Sequence, residues 1–175
     1  FFDIPLFRFD DLPFPNIYHY SHSRGLPELR ENISKYFLTQ YDVNFNPDKE
    51  IIVTAGSKAA IHMAFMAILN PSDEVIILEP AWVSYFEQVK LCYGIPVRVP
   101  YYEGVFDYEK YITNRTKAIV INSPNNPTGK VFNLEELTYL HGLAEKYKLY
   151  ILSDEAYCDF LLDEDQFISM ANLDQ

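Results

Sequence analysis

The chain is poor in positive charge. Its 14 Lys and Arg face 25 Asp and Glu, a formal net charge of −11, and no dense basic cluster occurs. Such a surface repels a phosphate backbone, which excludes nucleic acid as a partner. Cysteine is scarce as well. Cys92 and Cys158 lack metal-ligand spacing, and two thiols in 175 residues make no disulfide framework. They read as small buried hydrophobes in a reducing compartment, so a cytoplasmic location is expected. His19, His22, His62 and His141 form no ligand constellation, and no metal is expected. Long apolar runs are missing: 51–53, 74–78 and 117–121 are short and bounded by polar residues, far below a membrane span. Gly129-Lys130 suggests a nucleotide-binding P-loop, but Pro124 and Val131 stand where that motif needs glycine and Ser or Thr. Internal repeats and low-complexity tracts are absent.

What is present describes a folded domain. Apolar residues make up 49% of the chain and aromatics 16%, enough for a real core at this length. Residues 1–24 are rich in Phe, Pro, Asp and Tyr without periodicity, and are expected to form an extended N-terminal arm whose apolar residues pack on another surface. Leu29, Ile33 and Phe37 recur at helical spacing and predict an amphipathic helix from Pro27 to about Tyr41. Strands are expected at 51–53, 74–78, 96–100, 117–121 and 149–152. Helices are expected at 58–69, 83–93 and near 107–112, with a last one that starts at the capping box of Asn133 and Glu136 and runs to Lys148. Strands alternating with helices imply an α/β fold, a three-layer α/β/α arrangement around a mostly parallel sheet.

Two blocks carry the chemistry. Asn122-Ser123-Pro124-Asn125-Asn126-Pro127-Thr128-Gly129 and Ser153-Asp154-Glu155-Ala156-Tyr157 each follow an apolar run, where an open α/β sheet presents its ligand loops. Together they supply an amide, a carboxylate and a phenol, a set that suits an aromatic nitrogen cofactor with a protonated ring nitrogen and a ring oxygen. Asp154 would be costly at a strand end unless paired, either as a helix cap or ion-pair partner or as a ligand group, and Glu155 competes with it on composition alone. Thr54-Ala55-Gly56-Ser57-Lys58 runs from an expected strand into a helix. Gly56 permits a tight turn, and Ser57 offers a hydroxyl beside the first helical amides, which is either a turn with a cap or an anion site. Trp82, the only tryptophan, follows a strand and is a core anchor or a flat wall for a ring.

These landmarks, with Tyr20 through Gly25, Leu26-Pro27-Glu28-Leu29-Arg30 and Pro80-Ala81-Trp82, resemble in order those of the class I/II aminotransferases of fold type I, which use pyridoxal 5′-phosphate (PLP). The resemblance implies that residues 25–175 are part of the PLP-binding large domain. It puts the PLP phosphate on the backbone amides of Ser57 and Lys58 beside Gly56, the Lys58 side chain adding charge, and the pyridine ring against Trp82. It gives Asp154 the catalytic role of pairing with the protonated pyridine nitrogen, and has Asn126 and Tyr157 hydrogen-bond the phenolic oxygen. It has Tyr20 reach the partner's phosphate across a homodimer interface. The implied activity moves an amino group from an amino acid to a 2-oxo acid. A lyase or synthase of the same fold, a non-enzymatic PLP-binding transcriptional regulator and a structural module without cofactor are the rival readings. The Schiff-base lysine of the family belongs to a Ser-x-Ser-Lys-like stretch that residues 1–175 do not contain, so the chain is expected to be an interior, truncated piece of the enzyme and inactive by itself.

Overall fold

The computed structural model describes residues 20–161 and 167–173. Four strands, β1 (Glu74–Glu79), β2 (Ile95–Pro100), β3 (Thr116–Asn122) and β4 (Tyr150–Asp154), form one sheet in the order β2-β1-β3-β4 with every pairing parallel. The helices are α1 (Pro27–Tyr41), α2 (Ser57–Ile68), α3 (Ser84–Leu91) and α4 (Leu134–Tyr147), with 3₁₀ turns at Val105–Tyr111 and Met170–Leu173.

The two central strands are apolar on both faces, as a parallel sheet covered twice requires. Ile76, Leu78, Ile119 and Ile121 point to one side and meet Leu137, Leu140 and Leu143 of α4 together with Val105, Tyr108 and Met170. Val75, Ile77, Ala118 and Val120 point to the other and meet Ile61 and Phe65 of α2 and Tyr85, Phe86 and Val89 of α3. This is the expected three-layer α/β/α arrangement. Each large aliphatic side chain buried here contributes roughly 2 kcal/mol of transfer free energy. The capping box at the head of α4 forms in full: Asn133 Oδ1 accepts from the Glu136 amide at 2.9 Å and Glu136 Oε2 accepts from the Asn133 amide at 3.1 Å.

Three expectations change. Residues 51–53 form no strand, because a ladder needs a neighbour and only the Val53 amide finds a backbone acceptor, Arg24 O at 3.0 Å, among the described residues. The helix from Pro27 is present, but Leu29 lies 42% exposed, and the residue it buries is Arg30, 2% exposed. The Arg30 guanidinium donates to Gly25 O at 3.3 Å, to Pro47 O and to Asp48 Oδ1 at 2.9 Å, tying α1 to the loops on either side. Gly25 sits there at φ +96°, with the Val53 Cβ 2.6 Å from where its own Cβ would be, so the close approach admits only glycine. The helix expected near 107–112 is a 3₁₀ turn that begins two residues earlier. Of the N-terminal arm, residues 1–19 lie outside the described part.

The amino end of the sheet is closed by a charge network. Glu74, buried at the start of β1, accepts from Thr113 Oγ1 at 2.5 Å and from Arg115 Nε and Nη2 at 3.0 and 2.6 Å. Burial pushes the Glu74 carboxyl up, but the Thr113 hydroxyl and the Arg115 guanidinium together outweigh it and hold the group below the usual carboxylate range. A carboxyl depressed in the folded state contributes stability that is complete above the unfolded value and is lost as pH falls through the folded one. Glu74→Gln is therefore expected to lower the thermal midpoint at neutral pH, and the gap to the parent protein should close on acidification through the carboxylate range. Calorimetric melts of both proteins across that range check it.

Candidate active site

The carboxyl ends of β1, β3 and β4 and the amino end of α2 converge on a cleft of about 120 Å³ lined by Ser57, Trp82, Tyr85, Asn122, Asn126, Asp154, Ala156 and Tyr157. Parallel pairing of β3 with β4 sets Asn122 opposite Asp154. Asn122 Nδ2 and the Ser123 amide both donate to Asp154 O, at 2.9 and 3.1 Å, so the backbone of Asp154 is held before its side chain is placed.

The side chain then turns into the cleft. Asp154 Oδ2 accepts from the Tyr85 hydroxyl at 2.6 Å and Oδ1 from the Ala156 amide at 3.2 Å. Glu155, the rival carboxylate, points elsewhere. It accepts from Ser153 Oγ at 2.9 Å, from Ser169 Oγ at 2.9 and 3.2 Å and from the Met170 amide at 3.0 Å, clamping 167–173 onto the end of β4. Burial pushes the Tyr85 phenol well up, with the adjacent Asp154 adding to it, so Tyr85 keeps its proton and remains a donor.

The first block divides by task. Asn122 Oδ1 accepts from the Asn126 amide at 2.7 Å, and Ser123 Oγ accepts from the Phe132 amide at 3.1 Å. Buried Asn125 builds the turn, its carbonyl accepting from Gly129 N at 2.7 Å and its Oδ1 from Thr128 Oγ1 at 2.9 Å, with Gly129 at φ +73° closing it. That leaves the Asn126 side chain over the cleft, its Nδ2 a long 3.4 Å from the Tyr157 hydroxyl. Both groups therefore keep hydrogen-bonding capacity for a ligand.

Gly56 caps α2 at φ +81°, and the amides of Ala59 and Ala60 bond back to its carbonyl at 3.2 and 3.4 Å. No acceptor among the described residues takes the amides of Ser57 and Lys58, which stay available at a helix amino end where negative charge is favoured. The Lys58 ammonium stands 5.1 Å from the Trp82 ring centroid, and the indole meets Tyr85 edge-on with centroids 5.3 Å apart. Ser57, Trp82, Asn126, Asp154 and Tyr157 thus share one cleft, and Gly56 and Lys58 flank Ser57 in the chain without lining it. Tyr20 does not line it and is fully exposed. Three lining residues had no assigned role in the sequence. Tyr85 lies three residues after Trp82, Asn122 is the last residue of β3, and Ala156 lies between the two recognised members of its block. Spacing was the only available signal for them.

Asn122 joins both chemical blocks, so Asn122→Ala is expected to free the Asn126 amide and to speed its hydrogen exchange about tenfold, the equivalent of one lost hydrogen bond. Amide exchange followed by mass spectrometry checks this, and an unchanged rate at Asn126 would remove Asn122 as the link.

The family Aminotransferase class I and II matches residues 11–175. An aspartate aminotransferase of Pyrococcus abyssi is 41% identical over 162 residues, covering 89% of this chain and 42% of that protein. Among solved structures, an aromatic aminotransferase from Pyrococcus horikoshii OT3 superposes with a TM-score of 0.86 at 38% identity, over 89% of this chain and 43% of the other. The aspartate aminotransferase from Thermus thermophilus with maleate does so with a TM-score of 0.85 at 40% identity, over 89% and 42%. The chain spans about two fifths of the length of the curated relatives it matches. With the match running almost end to end and the α/β architecture shared with fold-type-I aminotransferases, this chain belongs to the class I and II aminotransferase family.

Proposed function

We propose that the full-length protein binds pyridoxal 5′-phosphate in the cleft beside Trp82 and uses it to transfer an amino group from an amino acid to a 2-oxo acid. The observation that carries this is the donor set, which suits the cofactor group by group. The free amides of Ser57 and Lys58 with the Ser57 hydroxyl suit a phosphate. The Asp154 carboxylate suits a protonated ring nitrogen, the Asn126 amide and Tyr157 phenol suit a ring oxygen, and the Trp82 indole suits a flat aromatic face.

When bound, the cofactor supplies an electron sink for charge that develops at the substrate's α-carbon. Asp154 would hold the ring proton that maintains this capacity, the Tyr85 and Ala156 donors keeping its carboxylate aimed. Asn126 and Tyr157 donate to the ring oxygen and so adjust the basicity beside it. Trp82 covers one face and excludes water there. The Schiff-base lysine and the arginine that would clamp the substrate carboxylate are assigned to sequence outside residues 1–175. In this division 1–24 is an arm and 25–175 is part of the large domain. Relatives named for aspartate and for aromatic amino acids mark acidic and aromatic amino acids as the substrates to assay. The assembly is assigned as a cytoplasmic homodimer in which Tyr20, exposed and outside its own chain's cleft, reaches the partner's phosphate site.

In the full-length protein, Asp154→Ala is expected to lower transamination by several powers of ten while phosphate contacts still retain cofactor, since each ~1.4 kcal/mol of lost transition-state stabilisation is tenfold in rate. Oxo-acid release measured beside bound-cofactor absorbance checks it, and near-normal turnover would remove Asp154 from the role. Mixing inactive Tyr20→Phe and Asp154→Ala proteins should restore some activity through hybrid dimers in which one site holds both native residues. Confirmed subunit exchange without recovered activity would end the assignment of Tyr20 across the interface.

A further inference from the structure

We infer that Tyr85 is a positioning residue of the cleft: its hydroxyl holds the Asp154 carboxylate toward a protonated ring nitrogen, and its ring holds the Trp82 indole against the same ligand. The inference rests on the proposed role of Asp154. Tyr85 is 1% exposed, and burial alone does not dictate its bond, because the equally buried Tyr108 hydroxyl has no partner among the described residues. The Tyr85 hydroxyl instead reaches from the first turn of α3 across to the end of β4, to Asp154 Oδ2 at 2.6 Å. The Ala156 amide takes the other oxygen, so one donor on each oxygen fixes the carboxylate's torsion. Each oxygen retains accepting capacity for a ligand N–H.

The same ring packs edge-on to Trp82 with an interplanar angle of 83°, so one residue couples the charge that would meet the ring nitrogen to the wall that would meet the ring face. Helix α3 has a second hold on the cleft: Gln88 Nε2 donates to Lys58 O at 2.9 Å, which fixes the first turn of α2. A residue serving only the core would act on every ligand of this shape equally. A residue acting through Asp154 distinguishes ligands by their ring nitrogen.

The test uses the full-length protein freed of cofactor, with two probes: PLP, and its 1-deaza analogue in which a carbon replaces the ring nitrogen. Tyr85→Phe is expected to weaken PLP binding about tenfold, the worth of one charge-assisted hydrogen bond, and to leave the analogue's affinity unchanged. Calorimetric titration reads both. Equal loss of both ligands, or loss of neither, overturns the inference. Asp154→Ala is the reference: if it too weakens PLP selectively while Tyr85→Phe does not, the inference fails and the role of Asp154 stands. If Asp154→Ala shows no selectivity, the role of Asp154 falls and the inference with it. Should the Phe variant fail to fold in a thermal melt, Tyr85→Met must give the same selective loss, and its failure to do so counts against the inference equally.

Discussion

The cleft depends on one constraint, the parallel pairing of β3 with β4. That register places Asn122 opposite Asp154, and two donors, the Asn122 side chain and the Ser123 amide, then converge on a single carbonyl. The strands themselves cannot slide, because a one-residue slip would exchange Ile119 and Ile121, packed under α4, with Ala118 and Val120, packed under α2 and α3. Asp154 is therefore positioned by the whole core, and its side chain needs only two further donors to be oriented.

The two ends of the sheet are built for different purposes. At the amino end the polar groups saturate one another: Glu74 takes the Thr113 hydroxyl and the Arg115 guanidinium, and the result is a closed network. At the carboxyl end hydrogen-bonding capacity is left unspent. The amides of Ser57 and Lys58 have no acceptor among the described residues, and Asn126 and Tyr157 meet only at long range. Such an end suits a ligand, in keeping with the position of binding crevices in open α/β sheets.

Within each block, neighbouring residues of the same type serve opposite roles. Asn125 is buried and spends its side chain on a turn, while Asn126 presents its amide to the cleft. Glu155 clamps the segment at Ser169 and Met170, while Asp154 faces inward. In each pair the partner committed to structure is the one that local donors claim, Thr128 and Gly129 for Asn125 and Ser153, Ser169 and Met170 for Glu155.

Much of this was legible in the sequence for local reasons. Short apolar runs between helical periods determined a parallel sheet covered on both faces, Asn133 and Glu136 determined where α4 starts, and two motif blocks brought Asn126, Asp154 and Tyr157 into view. Only the tertiary structure decided the rest, because those outcomes depend on neighbours distant in the chain. Residues 51–53 have the composition of a strand without a partner to make one. Arg30 lies buried on a helix whose Leu29 is exposed, because its acceptors come from Gly25 and the 47–48 loop. Composition left Asp154 and Glu155 as rivals, and the choice was made by Ser169 and Met170 on one side and Tyr85 on the other. Tyr85 carries no motif of its own, since its significance lies in a hydroxyl that meets a carboxylate 69 positions further along the chain.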